Sequence, residues 1–279
     1  MNPNDLPPMP QVGSFYNAFG TCLLAFVRIV LIFRQAPILG SNHMKNQVKI
    51  GLAALMALVA FPSLKIPDNF PTEPRAYILC ILSQIGVGLA IGFVSYLVMA
   101  AAQFGGEMMD IQMGLSAAAT MDPSTGGTSK LIMRLNFYFA MLLYLTTNGH
   151  HEFFRALYHS FDIIPVTTFN VNGDLIELFI RHTEDIFIIG LQIAAPPLAA
   201  LFITQIAMGL VSKVAPQMNV FMLSFPMNIG VGMMMLSVGL PVIEELLINQ
   251  FDVNIQETYQ VINILMQPAV TPSPTPPPI

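Results

Sequence analysis

Residues 76–104 read AYILCILSQIGVGLAIGFVSYLVMAAAQF, a long stretch with no charged side chain and no proline. A helix rises about 1.5 Å per residue, so about 20 apolar residues are enough to cross the hydrocarbon core of a bilayer. Ala76–Phe104 is longer than this minimum. The stretch therefore predicts a membrane-associated helix and, with its neighbours, an all-α fold.

Further apolar runs of the same character lie on both sides of this stretch. They cover Phe15–Phe33, Val48–Leu64, Leu131–Thr147, Ile186–Ser212 and Val220–Ile243. A seventh run, Glu244–Met266, mixes acidic with apolar residues, which is typical of an interfacial or protein-packed helix. The pattern predicts membrane-associated helical hairpins built from six long hydrophobic helices.

The composition excludes some classes of function. Hydrophobic residues make up 54% of the chain and charged residues 10%, against roughly 25% charged residues in ordinary soluble domains. The formal net charge is -5, and no cluster of Lys and Arg supplies the local positive field that nucleic acid requires. We therefore expect a membrane or a large protein interface as the surroundings, and no nucleic-acid partner.

The segment 121–129, MDPSTGGTS, is the clearest interruption of the apolar pattern. Pro123, Gly126 and Gly127 all disfavour a continuous helix there. The residues before it are unusual for a water-exposed loop, because they are rich in Ala, Gly and Met. The sequence predicts a loop over residues 105–125 whose surroundings are not simply water. Its methionines are Met108, Met109, Met113 and Met121.

The sequence offers no credible catalytic or metal-binding constellation. His150-His151-Glu152 begins like the H-E-x-x-H motif of zinc proteases, but Arg155 stands where the second ligand should be. Neither a Gly-rich phosphate loop with a Lys nor a G-x-S-x-G motif occurs. We predict no enzyme activity, no cofactor and no bound metal.

Two features of the apolar runs point to packing between helices. Gly86, Gly88 and Gly92 lie in one run, and the last two have the G-x-x-x-G spacing that lets helix backbones approach closely. Arg28 lies within the first run, where a charge facing lipid costs a few kcal/mol. We expect the glycines to pack against a helix, and Arg28 to be a buried charge with partners in protein.

Five short motifs follow one another along the chain between Phe15 and Ile243. They are Asn46-Gln-Val-Lys-Ile-Gly-Leu, Gln103-Phe-Gly-Gly-Glu-Met-Met-Asp-Ile-Gln-Met-Gly, Asn148-Gly-His-His, Ser160-Phe and Pro216-Gln-Met-Asn-Val-Phe. In this order they resemble the FliR/SctT family of flagellar and injectisome export-apparatus proteins. Two positions depart from the family pattern, since Lys213 stands where Arg is common and Asn228 stands where Lys is frequent.

The resemblance implies a role in a protein export gate in the bacterial inner membrane, at the flagellar basal body. The chain would assemble with FliP-like and FliQ-like subunits and with the FlhB-like export protein. Unfolded secreted polypeptides would pass through the assembly, and membrane lipid would surround part of it.

The resemblance also implies a division of the chain, because family members look like a fusion of the two smaller subunit types. Residues 1–180 would be the FliP-like part, including the loop over 105–125. Residues 181–266 would form a FliQ-like hairpin with a C-terminal helix. The tail, residues 267–279, is rich in proline, and we expect it to be disordered.

By the same resemblance, the loop over 105–125 would be a plug in the central channel. Two glycines would turn the chain, and flexible Met side chains would re-pack around passing polypeptide. The plug residues would be Gly105, Gly106, Met108, Met109, Met113, Gly114, Leu115 and Met121.

Three alternatives remain open from the sequence. A polytopic transporter of a small solute would use the six apolar segments, although these contain no intramembrane carboxylate. An intramembrane hydrolase would have to rely on His150, His151 and Ser160. A structural scaffold for gate assembly would share the fold but would have no plug.

Overall fold

The computed structural model describes residues 12–40, 44–66, 70–71, 73–116, 130–167 and 173–266. Among these residues there are seven α-helices and a short 3-10 helix at Phe61–Ser63, and none lies in a β-strand. The helices are α1 (Val12–Gln35), α2 (Asn46–Ala60), α3 (Pro74–Gln112), α4 (Leu131–Thr146), α5 (Gly149–Ile163), α6 (Gly173–Val214) and α7 (Val220–Met266). The prediction of an all-α fold is confirmed.

The helices at the C-terminal end are longer than the sequence indicated. The predicted runs Val220–Ile243 and Glu244–Met266 are one continuous helix, α7, so the prediction of two separate elements is wrong. Pro241 lies inside α7 without ending it. Helix α5 was not predicted as an element, because its first turns are polar.

Within the part of the chain that the structure describes, five helices are long and apolar enough to cross a membrane. They are α1 over Tyr16–Gln35, α2 with its 3-10 extension over Asn46–Ser63, α3, α6 over Leu175–Val214 and α7 over Met222–Met266. Helix α4 is also apolar but shorter. These helices fit a membrane protein.

The chain divides into two compact units. Unit 1 comprises the described residues of Met1–Ser95, Glu152–Leu178 and Glu257–Ile279. Unit 2 comprises those of Tyr96–His151 and Phe179–Gln256. Helices α3, α5, α6 and α7 each contribute residues to both units.

In unit 1, α3 crosses α1 closely at two of the predicted packing glycines. A Cβ atom on Gly88 would lie 2.9 Å from the carbonyl oxygen of Arg28, and one on Gly92 would lie 3.0 Å from Cβ of Gln35. Larger side chains at Gly88 and Gly92 would force the two helices apart. Gly86 lies in α3 and is half-buried. The structure therefore places the G-x-x-x-G pair against a helix of the same chain.

Arg28 is completely buried in unit 1, and most of its partners lie at the end of α5 or at Ile164, the residue that follows it. Its guanidinium donates hydrogen bonds to the carbonyl oxygens of Ser160 and Ile164, at 2.9 and 3.0 Å, and to Oε1 of Gln84 at 2.7 Å. It also lies 4.5 Å from the ring centroid of Phe161.

These contacts place the positive charge at the C-terminal end of α5. The last carbonyl groups of a helix lack partners within the helix and carry the negative end of its dipole. The guanidinium donates to the carbonyl oxygen of Ser160, which also accepts from the backbone N–H of Ile164, and to that of Ile164, just beyond the end of α5. Its charge complements the dipole. Arg28 is therefore stabilised within protein by neutral acceptors, and it ties α1 and α3 to α5.

Candidate functional site

The residues predicted to start the loop belong instead to the last turns of α3. Gly105 and Gly106 are helical and buried, and the helix continues to Gln112. The expectation that these two glycines turn the chain is corrected, because both are needed for contacts with neighbouring helices. We call residues 105–114 the loop base. All of its contacts described below lie within unit 2.

Gly105 is the point where α3 meets α6. A Cβ atom on Gly105 would lie 2.6 Å from the carbonyl oxygen of Gly190. In return, a Cβ atom on Gly190 would lie 2.9 Å from the carbonyl oxygen of Ala101. Two glycines face each other at this crossing, so the helix backbones approach more closely than any side chain would allow.

Gly106 faces the other neighbour of α3, which is α4. A Cβ atom on Gly106 would lie 2.5 Å from Cα of Met133 and 3.0 Å from the carbonyl oxygen of Ile132. Both atoms belong to the backbone and cannot move aside by a rotamer change. Gly105 and Gly106 are adjacent in sequence, yet each allows the close approach of a different helix: α6 at Gly105 and α4 at Gly106.

Asp110 fixes the start of α4. Its buried carboxylate accepts hydrogen bonds from the backbone N–H groups of Ile132, at 3.0 Å, and Met133, at 2.9 Å. Lys130, in the N-cap position, makes no side-chain cap hydrogen bond. The first N–H groups of a helix need outside acceptors, and a negative charge is favourable there. Asp110, near the end of α3, thus caps the N-terminus of α4. It holds together the two ends of the segment that connects these helices.

An ion pair lies beside this cap. Nζ of Lys130 is 2.5 Å from Oε1 of Glu107, and both side chains are partly exposed. Exposed pairs of this kind contribute about 0–1 kcal/mol. The pair therefore contributes little to stability. Its role is to hold Lys130, the residue that precedes α4, against the last turns of α3.

The end of α3 also rests on α7. Met113 is fully buried, and its side chain fills the space that a Cβ atom on Gly232 would occupy. Gly114 has a positive φ of 80°, a conformation that glycine adopts readily, and it faces the ring of Phe225. The α3 helix thus ends at a turn held against α7, and the loop base contacts α4, α6 and α7.

The sequence profile described as "Bacterial export proteins, family 1" matches residues 19–253. The chain belongs to this family. Flagellar biosynthetic protein FliR of Bacillus subtilis strain 168 is 33% identical over 248 residues, which are 88% of this chain and 95% of that protein. Proteins of the same description in Pectobacterium carotovorum and Escherichia coli K12 are 33% and 30% identical, each over 78% of this chain and 83% of the relative.

As a member of the bacterial export proteins, family 1, the chain is a membrane protein of the export apparatus and not an enzyme. The resemblance seen in its motifs is confirmed, since the matched region covers most of the chain. The hydrolase alternative has no place in such a family.

The other predicted plug residues of this export protein lie in different surroundings. Met109 is fully buried, Met108 is half-buried in α3, and Leu115 is half-buried just beyond Gly114. Met121 lies outside the described residues. The structure therefore brings most of the predicted plug residues together, but in the base of the segment.

Sequence reasoning missed several residues that build the loop base or pack against it in this family member. Asp110 and Glu107 entered only as letters of a family motif, and Gly190 and Gly232, which face the loop base, were not singled out. One signal was available, because a carboxylate near the end of an apolar helix requires a partner, and the N-terminus of the next helix is the nearest group of opposite polarity.

Proposed function

We propose that this chain is a component of the flagellar type III protein export gate. It forms part of the export channel and contributes the segment between α3 and α4 as a plug that closes the channel until unfolded substrate passes. The flagellar assignment rests on the name that its relatives share, flagellar biosynthetic protein FliR.

The observation that best supports the proposed plug is that the loop base is anchored to neighbouring helices. A plug that moves and returns needs fixed ends, so that only the segment between them is displaced. Asp110 links the last turns of α3 to the first turn of α4, and Met113 and Gly114 rest on α7. These contacts anchor both ends of the connection, and residues 115–129, which lie between the ends in sequence, are the part that we assign to the plug.

The amino-acid composition of residues 115–121 supports the same role. Residues 115–121 read LSAAATM and contain no charged side chain. Small side chains and a flexible Met can re-pack against differing polypeptides without demanding a fixed hydrogen-bond pattern. Such a segment can close a conduit and then release chains of unrelated sequence.

The partners follow from the gate role. We infer that the chain assembles with FliP-like and FliQ-like subunits and with the FlhB-like export protein, in the bacterial inner membrane at the flagellar basal body. Residues 1–180 would serve as the FliP-like part and residues 181–266 as the FliQ-like part. This division concerns likeness of sequence, whereas the two compact units reflect packing within the chain.

Export of flagellar subunits tests this function directly. Deleting the gene from its bacterium should abolish secretion of filament protein into the medium, and a plasmid copy should restore it. Secretion of a protein that uses the general secretory pathway should stay unchanged, which separates a gate defect from general membrane damage. Normal filament secretion without the gene would refute the proposed function.

A further inference from the structure

Helices α6 and α7 both continue through prolines, which helices normally exclude from their interior. Pro196 and Pro197 lie inside α6, and Pro241 lies well inside α7. Proline has no N–H group, and its ring presses on the carbonyl group four positions before it. That carbonyl group cannot accept the usual helical hydrogen bond, so a helix bends most easily there. We call residues 192–197 of α6 and 237–241 of α7 the weakened turns.

The two weakened turns lie at the same level of the hairpin that α6 and α7 form within unit 2. Five residues join Val214, the end of α6, to Val220, the start of α7, and a connection this short makes the two helices antiparallel neighbours. Pro197 lies 17 residues before Val214, and Ser237 lies 17 residues after Val220. Each weakened turn therefore begins about 26 Å along its helix from the connection. A hairpin whose two helices are weak at one level can bend there as a whole.

The lining of a groove along the hairpin agrees with this register. Residues between 205 and 212 of α6 line it together with residues between 220 and 228 of α7. Residues equally far from the connection therefore lie beside each other. Pro226 is also inside α7 but lies near the connection, and residues 207–212 of α6, at its level, contain no proline. The weakened turns differ from Pro226 because they lie opposite each other.

On the side away from the connection, both helices are packed against α3 and α4. In α6, the ring centroid of Phe187 lies 5.1 Å from that of Phe104, and Gly190 makes the close crossing with α3. In α7, the ring centroid of Phe251 lies 5.4 Å from that of Tyr144 in α4. These parts of α6 and α7 are fixed within unit 2.

The part of the hairpin between the weakened turns is less firmly packed within the chain. We call residues 198–236 the hairpin arm. Among the arm residues whose side chains the structure describes, the buried ones are Leu201, Asn228, Gly232 and Leu236. Few buried apolar contacts are typical of segments that move at a low cost in free energy.

The hairpin arm supports the end of the loop base. The side chain of Met113 fills the space beside Gly232, and Gly114 lies against the ring of Phe225. The hydrogen bonds of Asp110 to α4 do not involve the arm. They can hold the two ends of the connecting segment together while the arm moves.

We propose that the hairpin arm bends at the two weakened turns and thereby controls the plug. This inference rests on the proposed function, because it regulates the same segment between α3 and α4. With the arm in the position that the structure shows, Met113 and Gly114 are supported and the plug is held in place. When the arm bends away, these two residues lose their support and the plug can leave the channel.

Restoring the missing hydrogen bonds tests the bending. In the triple variant Pro196→Ala, Pro197→Ala and Pro241→Ala, both weakened turns gain N–H donors and a residue that favours a helix. We expect its melting temperature in detergent to rise and its secretion of filament protein to fall about tenfold, because the straight arm is stabilised. Pro226→Ala is the matched control, since it restores a hydrogen bond in α7 outside the weakened turns. It should secrete at the wild-type level.

A distance measurement follows the bending itself. Spin labels are introduced as unnatural amino acids at Leu191, before the weakened turn of α6, and at Met218, in the connection, where both side chains are exposed. The full chain is measured in the purified gate, empty and with a filament protein stalled by a fused folded domain. We expect the stalled substrate to shorten the distance between the labels in the wild type and in Pro226→Ala, but not in the triple variant.

Three results would overturn the inference: an unchanged label distance in the wild-type gate with stalled substrate, normal secretion by a triple variant with a raised melting temperature, or an equal loss of secretion in Pro226→Ala. If the triple variant does not fold, the distances in the wild type still decide. Failure of the proposed function looks different, because the wild-type chain would then neither restore secretion in the deletion strain nor hold a stalled substrate.

Discussion

Replacing Arg28 by Leu is expected to destabilise the protein by several kcal/mol. The guanidinium is fully buried and supplies hydrogen bonds to Gln84, Ser160 and Ile164. Leucine supplies none, so Oε1 of Gln84 and the carbonyl oxygen of Ile164 would lose the donor they have in the wild type. Each buried acceptor left unpaired costs about 1–3 kcal/mol. The end of α5 would also lose the charge that complements its dipole. Thermal unfolding of the purified protein in detergent measures the loss.

Two variants calibrate this result. Arg28→Lys keeps a positive donor but not the fork that reaches several acceptors, so its melting temperature should fall between those of wild type and Arg28→Leu. Arg34→Leu changes an exposed arginine at the end of the same helix and should have little effect. A wild-type melting temperature for Arg28→Leu would show that the buried hydrogen bonds do not hold unit 1 together.

Replacing Gly106 by Ala is expected to have the second large effect, although it adds a single methyl group. The new Cβ atom would lie 2.5 Å from Cα of Met133 and 2.9 Å from its backbone nitrogen. Helix α4 would have to move away from α3, and overpacking of this kind costs about 1–3 kcal/mol. The movement would also stretch the hydrogen bonds from α4 to Asp110.

Other glycines of the chain serve as controls for this change. Gly232→Ala meets side-chain atoms of Met113 and no backbone atom among the nearest contacts, so a change of the Met113 rotamer can relieve the clash and the effect should be milder. Gly239→Ala meets no described atom within 4 Å apart from its chain neighbours and the backbone of its own helix, and it should be neutral or slightly stabilising, because alanine favours a helix. Melting temperatures of the three purified variants in detergent, and the amount of filament protein that cells secrete, rank the three substitutions by the size of their effect. Equal effects would refute the close approach of α3 and α4 at Gly106.

The helices could be predicted from the sequence because apolar runs of sufficient length have few other folds available. Helix α5 was overlooked since His150, His151 and Glu152 make its start polar. A helical period was nevertheless present in its buried residues, which are Phe153, Ala156, Leu157, Ser160 and Phe161. An amphipathic helix is recognised by this period rather than by mean hydropathy.

The loop base shows where local sequence reasoning reaches its limit. Gly105-Gly106 predicted a turn, because two glycines weaken a helix. Their actual role depends on α4 and α6, and no local rule brings Gly190 or Met133 next to them. Arg28 is similar, since its burial could be expected from hydropathy, whereas its acceptors on Ser160 and Ile164 are more than 130 residues away in sequence.

The most direct test of the gate measures leakage of small solutes or ions. Cells co-express the gate subunits with either the wild-type chain or a variant lacking residues 115–121, which keeps Met113 and Gly114 in the loop base. A variant truncated after Met266 is the control, because it shows the effect of a deletion that leaves the proposed plug intact. We expect an assembled gate to leak only when residues 115–121 are missing. An assembled deletion variant that does not leak would contradict the plug and favour the scaffold.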